Sequence, residues 1–403
     1  MKGIYDYEER LQRYRRVIAS FGVNGEVALR FLDHLFSLNL SVARVSKIAS
    51  HIPALLRLIH FDLKDAARSD VERVVAAINS NRRWSAWTKH DKKLILRKLV
   101  QYAKYGSCDR STPIPPEVSW IRLKVKDDES RVTPEKLLTP EDFEALVKAA
   151  DNRRDKAMLY VLFEGALRPG ELLSMSVGSV KFKEVENESG KCSYCVISVR
   201  GKTGLKVVPL VVSYRPLIEW LDDHPRRTDP DAPLWCSLAP NHKGERLSYR
   251  HFRLIIKYTA KKAGLRKEVW PYLFRHSTLT ALAKVFTEAR LEQFAGWVHG
   301  SKMSARYVHL SARDLENAIL ELHGLARPRH GIDVLQLAAC PRCGCKNAPS
   351  LVRCSFCGFV LDRELAAKIE EENRHMEEAI IRRIENLERL VHTMLNSRSV
   401  PQE

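Results

Sequence analysis

Five short segments between residues 160 and 310 carry side chains whose types could act together on an anion. In Glu164-Gly165-Ala166-Leu167-Arg168-Pro169-Gly170-Glu171 an apolar helix ends at Gly165 and another starts at Pro169. Arg168 then stands at a helix N-terminus, where backbone N–H groups and the helix dipole also favour an anion. Glu171, in the first turn, can hold the guanidinium, although such a pair also serves plain structure. The run Val199–Leu210 reads as a β-hairpin whose Gly-containing turn carries Lys202, placed to reach into a groove or simply to solubilise the turn. In Pro271-Tyr272-Leu273-Phe274-Arg275-His276-Ser277, Tyr272 and Arg275 are three apart and share a helix face. An arginine among apolar neighbours needs an anionic partner, because an unpaired buried guanidinium is costly. Ala295-Gly296-Trp297 ends a helical pattern, with His299 two residues on, and Tyr307 lies on a short helix.

A second chemistry belongs to sulfur. Of nine cysteines, Cys340, Cys343, Cys354 and Cys357 form two Cys-x-x-Cys-Gly knuckles ten residues apart. Four thiolates at this spacing suit one tetrahedral zinc per chain in a structural ribbon. Paired disulfides are the alternative, which a chain without an export signal disfavours. Cys345 is an extra thiol beside the knuckle. Cys192 and Cys195 have no second pair and read as packing residues, and Cys108 and Cys236 carry no signal.

The elements that must position these groups can be read from periodicity. Residues 1–110 show helical spacing through Leu11–Ile18, Val27–Leu38, Val42–Ile59, Val71–Ile78 and Leu94–Tyr102, punctuated by Gly22, Gly25 and Pro53. Within them Arg82–His90 mixes cations with Trp84 and Trp87, suited to a phosphate backbone or to an interhelix corner. Residues 111–138, rich in Pro and charge, read as a linker. From 139 to 325 a helix capped by Thr139 with Pro140 at its first position leads into a helix pair. Strand-like runs follow at Val177–Phe182, Tyr194–Val199 and Lys206–Leu210, then helical patterns from Tyr214 to about Leu322. The ribbon spans 338–361. A pattern over 362–397 repeats apolar residues at Leu365, Ile369, Met376, Ile380, Ile384, Leu387, Val391 and Met394, with Asn373 in the seam. It reads as a coiled-coil-like helix or as an amphipathic helix packed on its own chain. The fold expected is mainly α: a helical N-terminal domain, a mixed α/β domain with a small antiparallel sheet, a zinc ribbon and a long C-terminal helix.

Composition fits a globular chain of two or three domains in 403 residues, 45% apolar and 29% charged. No apolar run reaches the length of a membrane span, so no membrane partner is expected. Met1–Asp6 has no signal-peptide core, which favours a cytoplasmic, nucleoid-associated location. The net charge of +18 points to a polyanion. The surplus is +10 over 1–110, +7 over 111–325 and +1 over 326–403.

Taken in order, the five segments resemble the tyrosine recombinase (phage integrase) family, with phrasing most like archaeal integrases. The family's Gly-x-Arg-x-x-Glu box, hairpin lysine, His-x-x-Arg-His box, Gly-Trp pair and nucleophilic tyrosine fall on Arg168/Glu171, Lys202, Tyr272/Arg275/His276, Gly296/Trp297 and Tyr307. The separations of 34, 73 and 32 residues from Arg168 to Lys202, Arg275 and Tyr307 in turn also match. The resemblance implies a core-binding, DNA-clamping domain at 1–110 and a catalytic domain at 139–325. It implies site-specific recombination or integration of double-stranded DNA through a 3′-phosphotyrosyl intermediate, on a dimer or tetramer. No nucleotide and no catalytic metal would be needed. Arg168 and Arg275 would bind non-bridging oxygens, Lys202 would protonate the leaving 5′ oxygen, and Trp297 would donate its indole N–H. Glu171, His276 and His299 would support them, His299 competing with Trp297 for one position. Tyr272 departs from the family's histidine. A phenol donates a hydrogen bond but, with an ordinary pKa near ~10, is a poor base at neutral pH, which leaves the proton acceptor open. A non-catalytic DNA-binding protein of the same fold and a type IB-like topoisomerase are the alternatives.

Overall fold

A computed structural model describes residues 3–123, 125, 132–187, 190–201, 204–301, 303, 304, 307, 338–347, 351–354 and 357–397. The chain divides into two compact units, Lys2–Arg131 and Val132–Glu403. It is mainly helical, with a three-stranded antiparallel sheet in the second unit.

The first unit is built from α1 (Tyr7–Ala19), α2 (Gly22–Ser37), α3 (Val42–Leu56), α4 (Arg68–Ser80), α5 (Ala86–Tyr105) and the single turn α6 (Pro116–Ser119). Apolar residues at helical spacing close one core, among them Ile18, Phe31, Leu32, Ile52, Leu55, Ile78, Leu96 and Leu99. Two expected breaks are not breaks. Gly25 lies inside α2, where a Cβ would stand 2.3 Å from the Ile18 carbonyl oxygen, so the residue permits close approach of α1. Pro53 lies inside α3, in its last turn. The 111–138 segment is likewise not a free linker at either end. Val118 and Ile121 are buried in the first unit's core, and Leu138 is buried in the second, its N–H donating to Ser277 Oγ at 2.9 Å. The Arg82–His90 stretch divides its roles. Trp84 packs on the core under the Lys92 ammonium, 4.3 Å from the ring centre, whereas Trp87 is exposed beside the Ser85-capped start of α5.

The second unit starts at α7 (Pro140–Ala149). Thr139 and Asp142 form a capping box there, Asp142 N–H donating to Thr139 Oγ1 and Thr139 N–H to Asp142 Oδ2. α8 (Arg153–Glu164) and the short α9 (Pro169–Ser174) lead to β1 (Val180–Asn187), β2 (Gly190–Gly201) and β3 (Gly204–Leu210), paired in that order. The first strand starts later than the β-branched run suggests, because Val177–Ser179 forms a 3-10 turn. Pro209 sits in β3 opposite Val196, tolerable because β3 is an edge strand.

Four helices follow: α10 (Tyr214–Asp223), α11 (Tyr249–Lys262), α12 (Pro271–Leu282) and α13 (Glu288–Ala295). The helical run read from Tyr214 is interrupted at 224–248, where four prolines and Gly244 replace helix by turns. Side chains hold this stretch: the Trp220 indole donates to Leu234 O at 2.9 Å, and Arg154 donates to Cys236 O at 2.8 Å. After the cysteine cluster, α14 (Arg363–Ser397) runs 35 residues. Its seam residues Met376, Ile380, Ile384, Leu387 and Val391 are exposed, so this part of the face is uncovered among the described residues. No helix among the described residues is long and apolar enough to cross a membrane.

Candidate active site

Arg168 is the N-cap of α9, ahead of Pro169. The turn that delivers it bends at Ala166, whose φ of 45° is a left-handed conformation in a fully buried residue. Glu171 closes the turn: its Oε2 accepts the Arg168 backbone N–H at 2.9 Å and its Oε1 a guanidinium N–H at 2.5 Å. Glu171 is only 2% exposed, so the guanidinium is its charge partner and not solvent.

The hairpin arrives over this pair. A Cβ on Gly201 would stand 2.6 Å from Glu171 Oε1, so only glycine lets β2 pass so close. Lys202, next along the turn, lies outside the described residues. The alignment of the sheet on the helices is fixed by Glu164 at the end of α8. Its buried carboxylate accepts from the N–H groups of Val211, Val212 and Ser213 and from Ser213 Oγ, at 2.6–2.9 Å. Burial raises its pKa, opposed by those four bonds.

Arg275 is 3% exposed and central. It donates to Ala166 O at 2.6 Å and to Ala295 O at 2.8 Å, joining the α8–α9 turn to the end of α13, and stacks over Trp297 at 5.6 Å. Burial, and next the neighbouring Arg168 charge, bring its pKa down to about 10. It stays charged at neutral pH, with further N–H groups left for an anion. Gly296 ends α13 at φ 65° and turns the chain so that Trp297 faces the cluster. Tyr307 is 1% exposed. Its ring stacks on Trp297 at 5.3 Å, and its hydroxyl lies 3.0 Å from His276 Nδ1.

The cluster therefore gathers Arg168, Glu171, Arg275, His276, Trp297 and Tyr307. Tyr272 stands at its edge, 40% exposed in the first turn of α12, one helical turn before Arg275. His299 is not brought in. Its side chain is 92% exposed and bonded to Glu292 at 2.9 Å, whereas Trp297 lies against Tyr307.

Lys206 was not singled out by its sequence context, yet it lies in the cluster. Its ammonium donates to Gly165 O at 3.2 Å and sits 5.1 Å over Phe294. Strand alternation held the signal, since Lys206 shares its face with the buried Val208 and Leu210. Burial, then repulsion from Arg275, lowers its pKa to about 7. The unfolded lysine holds its proton to ~10.4, so the unfolded chain binds more protons through the intervening window. This group's contribution to stability therefore rises with pH across that window and is lost as pH falls to about 7. Lys206→Met removes it. The native protein should gain stability over the variant between about pH 7 and about pH 9.5 in urea unfolding; a constant difference would contradict the burial argument.

Cys340, Cys343, Cys354 and Cys357 offer sulfurs that all lie within 4.8 Å of one another, able to hold a metal ion. The cross-knuckle separations are 3.7 Å for Cys340–Cys357 and 3.6 Å for Cys343–Cys354. Gly344 and Gly358 adopt matching left-handed conformations, φ 71° and 72°, and each donates its N–H to the first cysteine's carbonyl. Cys345 is not among the clustered sulfurs, and Cys195 is buried in the sheet.

The model of the phage integrase family matches residues 136–313. The chain is 28% identical over 213 residues to a tyrosine recombinase of Synechococcus elongatus, covering 52% of this chain and 60% of that protein. It is 26% identical over 211 residues to tyrosine recombinase XerA of Pyrococcus horikoshii, covering 52% and 66%. The chain thus spans less than two thirds of the length of these curated relatives. The fold is that of the XerH site-specific recombinase in its post-cleavage complex with a palindromic difH substrate, at TM-score 0.51, 18% identity and coverage of 80% and 98%. It also matches a lambda integrase(75-356) dimer bound to a COC' core site, at TM-score 0.51, 14% identity and coverage of 70% and 94%.

Proposed function

We propose that this chain, which belongs through residues 136–313 to the phage integrase family of tyrosine recombinases, cuts and rejoins double-stranded DNA as a site-specific recombinase or integrase. The observation that carries the reading is the gathering of Arg168, Arg275, His276, Trp297 and Tyr307 in one cluster, with His276 Nδ1 3.0 Å from the Tyr307 hydroxyl and Trp297 stacked on the Tyr307 ring. A phenol beside two guanidinium groups suits nucleophilic attack on a phosphodiester. Arg168 and Arg275 would fork onto the non-bridging oxygens, whose charge grows in the transition state. Tyr307 would form a 3′-phosphotyrosyl bond that conserves the energy of the broken linkage, so no nucleotide is consumed. Lys202 would protonate the leaving 5′ oxygen. Tyr272, at the mouth, would donate a hydrogen bond to the phosphate.

The basic N-terminal unit would bind the duplex backbone as a core-binding domain, with affinity falling steeply as salt rises. The exposed seam of α14 favours self-assembly into a dimer or tetramer on DNA. Such a protein works in the cytoplasm on the nucleoid. The test is incubation with a pool of nicked duplexes, randomised around the nick, followed by denaturing electrophoresis. A covalent protein–DNA adduct is expected. Its absence, with DNA binding retained, would mark a non-catalytic binding protein. Relaxation of supercoiled plasmids without sequence preference would mark a topoisomerase.

The cysteine cluster would hold one structural zinc per chain. Tetrahedral Zn–S bonds of about 2.3 Å require S···S separations of about 3.8 Å, which the two cross-knuckle distances approach. Metal analysis of the purified protein should return one zinc per chain, and Cys354→Ser should lose it. A variant with undiminished zinc would contradict the ligand set.

A further inference from the structure

Tyrosine can attack phosphorus only as its proton leaves, and the acceptor is the one role that the substituted box, with Tyr272 in its first position, leaves unfilled. A phenol at that position is no better a base than the nucleophile, which is itself a phenol. The structure places a different group on the hydroxyl. His276 Nδ1 lies 3.0 Å from Tyr307 Oη, with the two rings 5.8 Å apart and 28° from parallel. His276 is held by its place in α12 immediately after the buried Arg275, and Tyr307 is held against Trp297 from the other side. A nucleophile and a base within hydrogen-bond reach, each fixed by packing, are the geometry of an activated nucleophile.

We propose that His276 is the general base of the cleavage step, taking the Tyr307 proton in place of the residue at position 272. This rests on the recombinase reading above. In the Nε2–H tautomer, the Nδ1 lone pair faces the phenol O–H. As Tyr307 Oη bonds to phosphorus, its proton passes to Nδ1, giving an imidazolium. The bond from phosphorus to the 5′ oxygen breaks, and that oxygen takes a proton from the general acid. On rejoining, the 5′ hydroxyl returns its proton to the general acid as it attacks the phosphotyrosine, and the imidazolium returns its proton to the departing phenolate. Protons and charge balance over the cycle with no further reactant.

The experiment compares single-turnover adduct formation by the full chain and by His276→Asn on the nicked duplex pool. Asparagine fills much the same space and keeps a polar atom near the Nδ1 position, so DNA binding and thermal stability should stay near native, but it accepts no proton. At pH 7 the variant should be at least about 100-fold slower, the lower range for general base catalysis. The deficit should shrink toward about pH 9.5, because a phenolate formed by solvent needs no acceptor. Arg168, Glu171, Lys206, Tyr272 and Arg275, the other titratable groups around the pair, are present in both proteins and cancel in the ratio. A deficit below about 100-fold at pH 7, or one that stays constant with pH, overturns the proposal and leaves His276 an orienting residue. The native chain is the control for the wider reading: if it forms no adduct, the recombinase function fails, whereas native adduct with an active Asn variant removes His276 alone.

Discussion

Tyr307→Phe should abolish the covalent protein–DNA adduct and leave DNA affinity within about threefold of native. The substitution removes one oxygen from a ring that is 1% exposed and stacked on Trp297, so the packing that positions it remains. What goes is the hydroxyl proposed as nucleophile, with its hydrogen bond to His276. Losing that bond costs about 1 kcal/mol of stability, small against the whole. On the proposed reading, affinity would come from phosphate contacts by the basic N-terminal unit and by Arg168 and Arg275, none of which the substitution alters. Rate and binding should therefore separate completely. Gel shift at fixed salt gives the affinity, and denaturing electrophoresis gives the adduct. Adduct persisting in the Phe variant would move the nucleophile to another residue.

The chemistry of this site was more legible than its supports. Arg168, Arg275, Trp297 and Tyr307 could be named from the sequence because each needs one residue type at one place, and their order survives folding. The capping box at Thr139 and the turn at Gly296 were legible for the same local reason. What was hidden depends on residues far apart in the chain. Nothing near Glu164 announces that its carboxylate will gather three backbone N–H groups at 211–213, and nothing near Ala166 announces that its carbonyl will receive Arg275. Lys206 carries no local motif, but a period of two along β3 assigns it to the inner face with Val208 and Leu210. The 224–248 stretch lies inside a helical pattern that its four prolines and Gly244 break; Leu234 and Trp235 are buried there, Leu234 being tied to Trp220 and Met175 across the chain. The Pro-rich 111–138 segment was read by composition alone, which does not register the burial of Val118, Ile121 and Leu138.

Arg275→Lys should reduce cleavage by about 10³-fold and also destabilise the fold, a pairing of effects not expected from Arg168→Lys. Arg275 performs two tasks with one planar group. Its N–H donors span Ala166 O and Ala295 O, tying the α8–α9 turn to α13, while others are left to face an anion. A lysine ammonium is a point donor at the end of a flexible stem and lacks the fork that reaches both carbonyls and a phosphate together. At least one buried carbonyl then loses its partner, at about 1–3 kcal/mol. The bidentate contact to the non-bridging oxygens is lost as well, and one such donor alone is worth about 10²–10³ in rate. Arg168 differs in its surroundings. Its side chain is 25% exposed and paired with Glu171, a pairing a lysine can partly keep. Its substitution should slow cleavage with a smaller change in stability. Urea midpoints and single-turnover adduct formation for both variants make the comparison. If Arg275→Lys were to cleave within tenfold of native, the guanidinium would be a structural tie between two turns and the phosphate would be bound elsewhere.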